Sequence, residues 1–224
     1  MMSAFHSLNI LPLFLIMLII SVNTQGLRLP ECRTVAFNFF KRLKYDIIFL
    51  QETHWTVELE NTISQEWNGN IIFNHGTAHS CGVAILFTTR LNCQFTPPQT
   101  DNQGRIIALD ITIDDQTLHL VNIYAPRTNT ERQYFYRNLN NYLSSQDNNI
   151  LGGDSNSIAD PKYDKSGGNP KARQSANNDL TFLNARFSLL DIWRSQNKNR
   201  RCILGLGQTP LIILSSAHAL TNSS

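Results

Sequence analysis

Helix-like and strand-like segments alternate along this chain and are broken once by a β-hairpin, which predicts an α/β or α+β domain on a mixed sheet. Short apolar runs that end in polar residues mark the strands. Apolar residues at helical spacing mark the segments between them. At 224 residues the chain is long enough for one sizeable domain with a real core, and it shows no internal repeat or linker.

The first element is ambiguous. Ile10 to Val22 is almost wholly apolar, interrupted by Pro12. It reads as the apolar region of a signal peptide, although no Lys or Arg precedes it, and it is short for a membrane span. Its second half, Leu18 to Val22, also reads as a fully buried central strand. Arg33 to Leu43 places Val35, Phe37, Phe40 and Leu43 at helical spacing. Tyr45 to Leu50 is a compact apolar strand, and Val57 to Trp67 a second helix. Asn70 to Phe73 and Val83 to Thr88 read as strands, the latter opened by Gly82. Arg105 to Ile113 alternates, turns at Asp114-Asp115-Gln116, and returns as Leu118 to Tyr124, where Pro126 stops it. Thr130 to Leu143 is helical through Phe135, Leu139 and Tyr142. Asn148 to Leu151 is a strand, Ser157 to Asn177 a long polar loop, Leu180 to Phe187 a short helix, and Leu189 to Trp193 follows.

Composition excludes several classes. An apolar content of 42% is that of a globular chain. A formal net charge of +2 gives no global basic field. The clusters Arg28, Arg33, Lys41, Arg42, Lys44 and Lys198, Arg200, Arg201 read as solvated faces and loops. Cys32, Cys81, Cys93 and Cys202 form no C-x-x-C pair and no His joins them, which argues against zinc. Cys81 and Cys93 read as small hydrophobes, and a reducing compartment is the simplest setting. His54 and His75 read as loop residues, and Asp191 with Arg194 as a structural pair.

The strand ends carry the chemistry. Gly152-Gly153-Asp154-Ser155-Asn156 breaks a strand with two glycines, which allow a tight turn and close approach of a ligand, and then presents a carboxylate and an amide. The strand at Tyr45–Leu50 delivers Glu52, the hairpin's second strand delivers Asn122 and Tyr124, and the first apolar run delivers Asn23 and Gln25. Hard oxygen donors without a Cys or His cluster favour Mg²⁺ or Mn²⁺, and one or two carboxylates plus substrate phosphate suffice for such an ion. Glu52 is the expected metal ligand. Asp154 is expected to orient or deprotonate a water, Asn156 and Asn23 to fix geometry, Tyr124 to donate to a phosphate oxygen, and Asn122 and Gln25 to contact substrate. Each also has an ordinary reading alone: strand-end acid, turn former or interfacial aromatic.

The ordered segments Ser21-Val22-Asn23-Thr24-Gln25-Gly26-Leu27-Arg28, Asp46-Ile47-Ile48-Phe49-Leu50-Gln51-Glu52-Thr53-His54, Gly82-Val83-Ala84-Ile85-Leu86, Val121-Asn122-Ile123-Tyr124-Ala125-Pro126 and Gly152-Gly153-Asp154-Ser155-Asn156 resemble the endonuclease/exonuclease/phosphatase family. Asp164-Lys165-Ser166-Gly167-Gly168 and Asp191-Ile192-Trp193-Arg194 are similar to the apurinic-type endonuclease domain of LINE-type non-LTR retrotransposons. The resemblance spans Leu18 to Arg201. It implies a DNase I-like two-sheet α/β sandwich with flanking helices, and a Mg²⁺- or Mn²⁺-dependent endonuclease that nicks DNA. It gives Glu52 the metal, Tyr124 the scissile phosphate, Asp154 the water and Asn156 the phosphate position, and it turns Leu18–Val22 towards the strand reading.

The pattern departs from the family after Arg201. The family's Arg-Ile-Asp strand and final Ser-Asp-His are not found; Ser216-Ala217-His218 lacks the acid, so His218 is given no role. Ser155 stands where an aromatic is usual. The expected organisation is an extension at 1–15, the domain at 16–201, incomplete at its C-terminal side, and a divergent tail at 202–224. The rival readings are an inactive remnant and a secreted nuclease or phosphatase. DNA is the expected partner of a monomer with no stable membrane partner, nuclear or cytoplasmic unless the first run is a signal peptide.

Overall fold

The computed structural model describes residues 8–10, 17–146, 148–156, 181–192, 195 and 210–215. Two mixed sheets face each other. The first has the spatial order β1 (Leu8–Ile10), β2 (Met17–Asn23), β3 (Ile47–Gln51), β5 (Val83–Phe87), β4 (Asn70–Asn74). The second has the order β11 (Leu189–Asp191), β12 (Pro210–Ser215), β10 (Asn149–Asp154), β9 (Gln116–Tyr124), β8 (Ile106–Ile113), β6 (Gln94–Phe95), with β7 (Gln99–Thr100) also on β8. β2 runs parallel to β3, and β9 parallel to β10. The main helices are α1 (Pro30–Arg42), α2 (Glu60–Trp67) and α3 (Asn129–Leu139).

The period-2 alternation of strands builds four layers. In β3, Ile47 and Phe49 point between the sheets towards Ile107, Leu109 and Leu120. Ile48 and Leu50 point outward onto Phe37 and Phe40 of α1, with Trp55, Ile63 and Trp67. On the other side, Ile106, Val121, Ile123 and Leu151 pack on Phe135, Tyr136 and Leu139 of α3. β2 and β3 bury both faces, which is why they read as unbroken apolar runs. The Ile10–Val22 run therefore contributes an interior strand, Met17–Asn23. Among the described residues no helix is long and apolar enough to cross a membrane.

Several expectations shift. The strand expected at Tyr45–Leu50 starts at Ile47, and the helix expected from Val57 opens with a 3₁₀ turn at Val57–Leu59 before α2. β12 was not anticipated. Its Leu211-Ile212-Ile213-Leu214 run pairs antiparallel with β10, Ile212 opposite Gly152, and completes that side of the second sheet. Ser157 to Asn177, Trp193, Arg194, Lys198, Arg200, Arg201, Cys202 and His218 lie outside the described residues. Cys81 and Cys93 do pack against the core as small hydrophobes.

Two further corrections concern packing. Gly152 makes room for the opposite sheet, not for a ligand, because a Cβ there would lie 2.1 Å from the Phe49 ring. Gly153 has φ +141°, and a Cβ there would lie 2.0 Å from the Ile123 carbonyl oxygen. Arg33 is not solvated: it is 1% exposed, and its Nε and Nη2 hold the Glu66 carboxylate at 2.5 and 2.8 Å. Its Nη1 also donates to the Leu27 and Arg28 carbonyls, tying α1 and α2 to the segment after β2.

Gly152→Ala is expected to lower stability by about 1–3 kcal/mol through overpacking, seen as a lower urea midpoint with an unchanged m-value. The Arg33 hydrogen bonds hold the Glu66 carboxyl below the usual carboxylate range, against the opposing effect of burial and with help from the Arg33 charge. A carboxyl lowered in the folded state contributes stability above its unfolded value that is lost as pH falls through the folded one. Glu66→Gln should thus cost about 2 kcal/mol at pH 7, and the gap from wild type should close on acid titration of the unfolding midpoint.

Candidate active site

Because β2 and β3 are parallel, and β9 and β10 are parallel, their C-terminal ends open at one edge of the sandwich, with Asn23 beside Gln51 and Asp154 beside Tyr124. The Asn23 amide bridges the sheets there. Its Nδ2 donates to Glu52 Oε1 at 2.9 Å and to Asp154 Oδ2 at 2.8 Å, while its Oδ1 accepts the Gln25 N–H at 3.0 Å. Asn23, Glu52 and Asp154 are 8%, 6% and 2% exposed. The structure thus brings these three together as a buried amide between two carboxylates.

The local backbone is held in unusual conformations to do this. Gln25, Glu52, His54 and Asn156 all have positive φ, between 46° and 57°. Such non-glycine residues cost of order 1 kcal/mol each and persist only where neighbours over-determine them. Here Thr24 Oγ1 donates to the Gln51 and Glu52 carbonyls, Gly26 N–H to the Glu52 carbonyl, and His54 N–H to the Cys81 carbonyl.

Tyr124 and Asn156 complete the cluster. Tyr124 is buried and hydrogen-bonds Glu52 and Arg127. Asn156 donates its N–H to Asp154 Oδ1 at 2.9 Å and its Nδ2 to the Ala125 carbonyl at 2.7 Å. Ser155 is buried, and its carbonyl accepts the Tyr136 hydroxyl at 2.6 Å, so α3 holds the turn from behind. A cleft of about 860 Å³, lined by Arg105, Pro126, Tyr134 and Asn138 among others, lies between β8 and α3, and none of Asn23, Glu52, Tyr124, Asp154 or Asn156 lines it.

One expected substrate contact is placed differently. Asn122 is fully buried. Its Nδ2 donates to the Leu50 and Ala84 carbonyls and its Oδ1 accepts Gln51 Nε2 at 2.7 Å, so it clips one sheet to the other and presents no group to a ligand. Gln25 sits at the exposed rim, where its backbone orients Asn23.

Two residues were missed. Arg127 Nη2 holds Glu52 Oε1 at 2.9 Å although the arginine side chain is 66% exposed. Its signal was position alone, three residues after Tyr124. His54, expected as a loop residue, lies with Nε2 at 3.9 Å from Glu52 Oε2. His75 instead meets Glu60 at 2.5 Å, away from the cluster.

Burial pushes the Glu52 carboxyl up, but hydrogen bonds from Asn23, Tyr124 and Arg127 and the Arg127 charge outweigh it, so Glu52 lies below the usual range. Burial raises Asp154, the neighbouring Glu52 charge adds to that, and the bonds from Asn156 and Asn23 with the Arg127 charge only partly oppose it. Burial and the adjoining Glu52 hold the Tyr124 hydroxyl protonated. Burial lowers His54 against the pull of Glu52. Two adjacent carboxylates thus have opposite proton affinities, the pattern of a site that divides charge holding from proton transfer.

The donor set suits a hard divalent ion. Both Asn23 and Arg127 occupy Glu52 Oε1, which leaves Oε2 facing a buried His54 Nε2 that has no hydrogen-bond partner. Among the described residues no three or more His, Cys, Asp or Glu side chains form a metal cage, so an ion here would rest on Glu52 and draw most of its shell from water or substrate oxygen.

A model of the Endonuclease/Exonuclease/phosphatase family matches residues 20–200. The chain belongs to that family. It is 38% identical over 180 residues to the Transposon TX1 uncharacterized 149 kDa protein of Xenopus laevis, covering 79% of this chain but only 14% of that protein. The AP endonuclease LMAP of Leishmania major superposes with TM-score 0.73 at 18% identity, over 88% of this chain and 78% of that one. An AP endonuclease from Archaeoglobus fulgidus gives 0.62 at 18% identity over 88% and 85%. The endonuclease domain of TRAS1, a telomere-specific non-LTR retrotransposon, gives 0.58 at 10% identity over 89% and 84%. The two sheets with their flanking helices are thus the DNase I-like sandwich of the family.

Carboxyl ¹³C titration without divalent ions is expected to show Asp154 above the ordinary Asp range. Glu52→Gln, which removes a neighbouring negative charge, should move it down, and Asn23→Ala, which removes a donor to its carboxylate, should move it up.

Proposed function

We propose that this chain is a retrotransposon-derived endonuclease domain that nicks DNA by hydrolysing a phosphodiester bond with Mg²⁺ or Mn²⁺. The observation that carries the reading is the Asn23 bridge, which sets a low-affinity and a high-affinity carboxylate side by side at the mouth of the sandwich. Glu52 would hold the cation, which when bound neutralises charge building on the phosphoryl oxygens. Asp154 takes a proton from the attacking water, and its raised proton affinity brings it nearer the operating pH. Asn156 and the Asn23 amide fix that carboxylate's direction. The Tyr124 hydroxyl donates to a phosphate oxygen, and the exposed Arg127 guanidinium turns from Glu52 to the phosphodiester as it arrives. The water oxygen bonds to phosphorus as the P–O3′ bond breaks, the phosphate stays on the 5′ end of the next nucleotide, and the departing 3′ oxygen takes a proton from solvent to become a free 3′ hydroxyl.

The AP endonucleases and the TRAS1 domain on the same fold, and the transposon relative, support DNA as the substrate. The catalytic body would span 16–201 together with β12, which pairs with β10, and the protein would work as a monomer in the nucleus or cytoplasm. A second reading, an inactive remnant, has one observation in its favour: Ser-Asp-His, the family's expected final motif, occurs nowhere in the sequence.

Supercoiled plasmid with Mg²⁺ should be converted to the nicked circle by wild type. Glu52→Ala and Asp154→Asn should each slow this by about 10²–10⁴-fold, and EDTA should stop it. Nicking that persists in both variants would remove the proposed site. A folded wild type that leaves plasmid intact would establish the remnant.

A further inference from the structure

His54 is held by more contacts than a loop residue requires. Its backbone is left-handed at φ 57°, with the N–H fixed on the Cys81 carbonyl. Its ring leans on Gly26, where a Cβ would come within 3.0 Å of Nδ1 at a φ of +105° that already excludes most side chains. Next to it, Gly82 leaves room for Thr53, since a Cβ there would lie 2.5 Å from Thr53 Oγ1. The seated ring points Nε2 inward, buried and without a hydrogen-bond partner.

The 3.9 Å between His54 Nε2 and Glu52 Oε2 is too long for a hydrogen bond. Adjacent ligands of one ion, each bonded at about 2.0–2.2 Å, stand roughly 3.0–3.5 Å apart, so the ring would close by about half an ångström onto a shared ion. Asn23 and Arg127 both bind Oε1, and Oε2 is the oxygen that faces His54. Resting on the reading that Glu52 holds a divalent cation, we infer that His54 is a second protein ligand of that cation and makes the centre select Mn²⁺ over Mg²⁺. Mn²⁺ prefers oxygen donors but also accepts an imidazole nitrogen beside them, whereas Mg²⁺ keeps to oxygen and water, so one nitrogen ligand separates the two ions.

The test is metal binding to the full chain without DNA, by calorimetry and by electron spin-echo spectroscopy of bound Mn²⁺. Wild type should bind Mn²⁺ more tightly than Mg²⁺ and show coupling to an imidazole nitrogen. His54→Gln should lose that coupling and about tenfold or more in Mn²⁺ affinity, with Mg²⁺ affinity within about twofold. His54→Asn is measured beside it because asparagine tolerates left-handed backbone. His79→Gln, a change at an exposed histidine, should keep the coupling. Absence of nitrogen coupling in wild type, or unchanged Mn²⁺ affinity in a folded His54 variant, overturns the inference. Glu52→Gln separates the levels. Loss of Mn²⁺ there with no effect at His54 rejects only the role of His54. Retention of Mn²⁺ there rejects the Glu52 cation site and the inference with it.

Discussion

One amide holds two carboxylates that belong to different sheets. Asn23 ends β2 of the first sheet, Asp154 ends β10 of the second, and Glu52 follows β3. A single Nδ2 uses its two hydrogens to join Glu52 to Asp154. Neither sheet could shift along the other without breaking one of these bonds. A buried carboxylate stripped of its donor costs more than an ordinary hydrogen bond gains. The sandwich is therefore registered most tightly at the place where chemistry would occur.

Beneath the bridge runs a second polar layer. Ser21, Gln51 and Asn122 are buried between the sheets, with Gln51 Nε2 at 3.2 Å from Ser21 Oγ and 2.7 Å from Asn122 Oδ1, and Asn122 reaches two backbone carbonyls of the first sheet. Apolar side chains alone would allow the sheets to slip, because burial has no direction. Hydrogen bonds with fixed partners do not. The apolar core supplies cohesion, this layer supplies alignment, and Gly152 lets the Phe49 ring close the space between them.

Much of this was legible in the sequence, for identifiable reasons. β2, β3 and β5 bury both faces and so leave uninterrupted apolar runs, while β8 and β9 are joined by a turn of recognisable composition. Glu52, Asp154 and Asn156 stood out because acids and amides directly after such runs are unusual. What stayed hidden depends on the third dimension. Asn122 had the residue type and position of a ligand contact, and only the facing sheet shows that its groups are spent. Arg33 looked like one more surface cation until Glu66, 33 residues on, closed around it. Arg127 lies in a loop whose composition says nothing of the carboxylate it reaches. β12 carried a fair strand signal, but its partner β10 is far away in sequence and its motif is not the family's.

The Asn23 amide reaches 29 residues along the chain to Glu52 and 131 to Asp154. Contacts so distant in sequence close late, because the entropy of the intervening loop must be overcome before they contribute. A nascent or partly folded chain can form β2 and β3 and present Glu52 while Asp154 is still elsewhere. No half of the molecule holds both carboxylates. The pair on which the proposed hydrolysis depends therefore exists only in the finished fold, and a chain that stalls or misassembles lacks it.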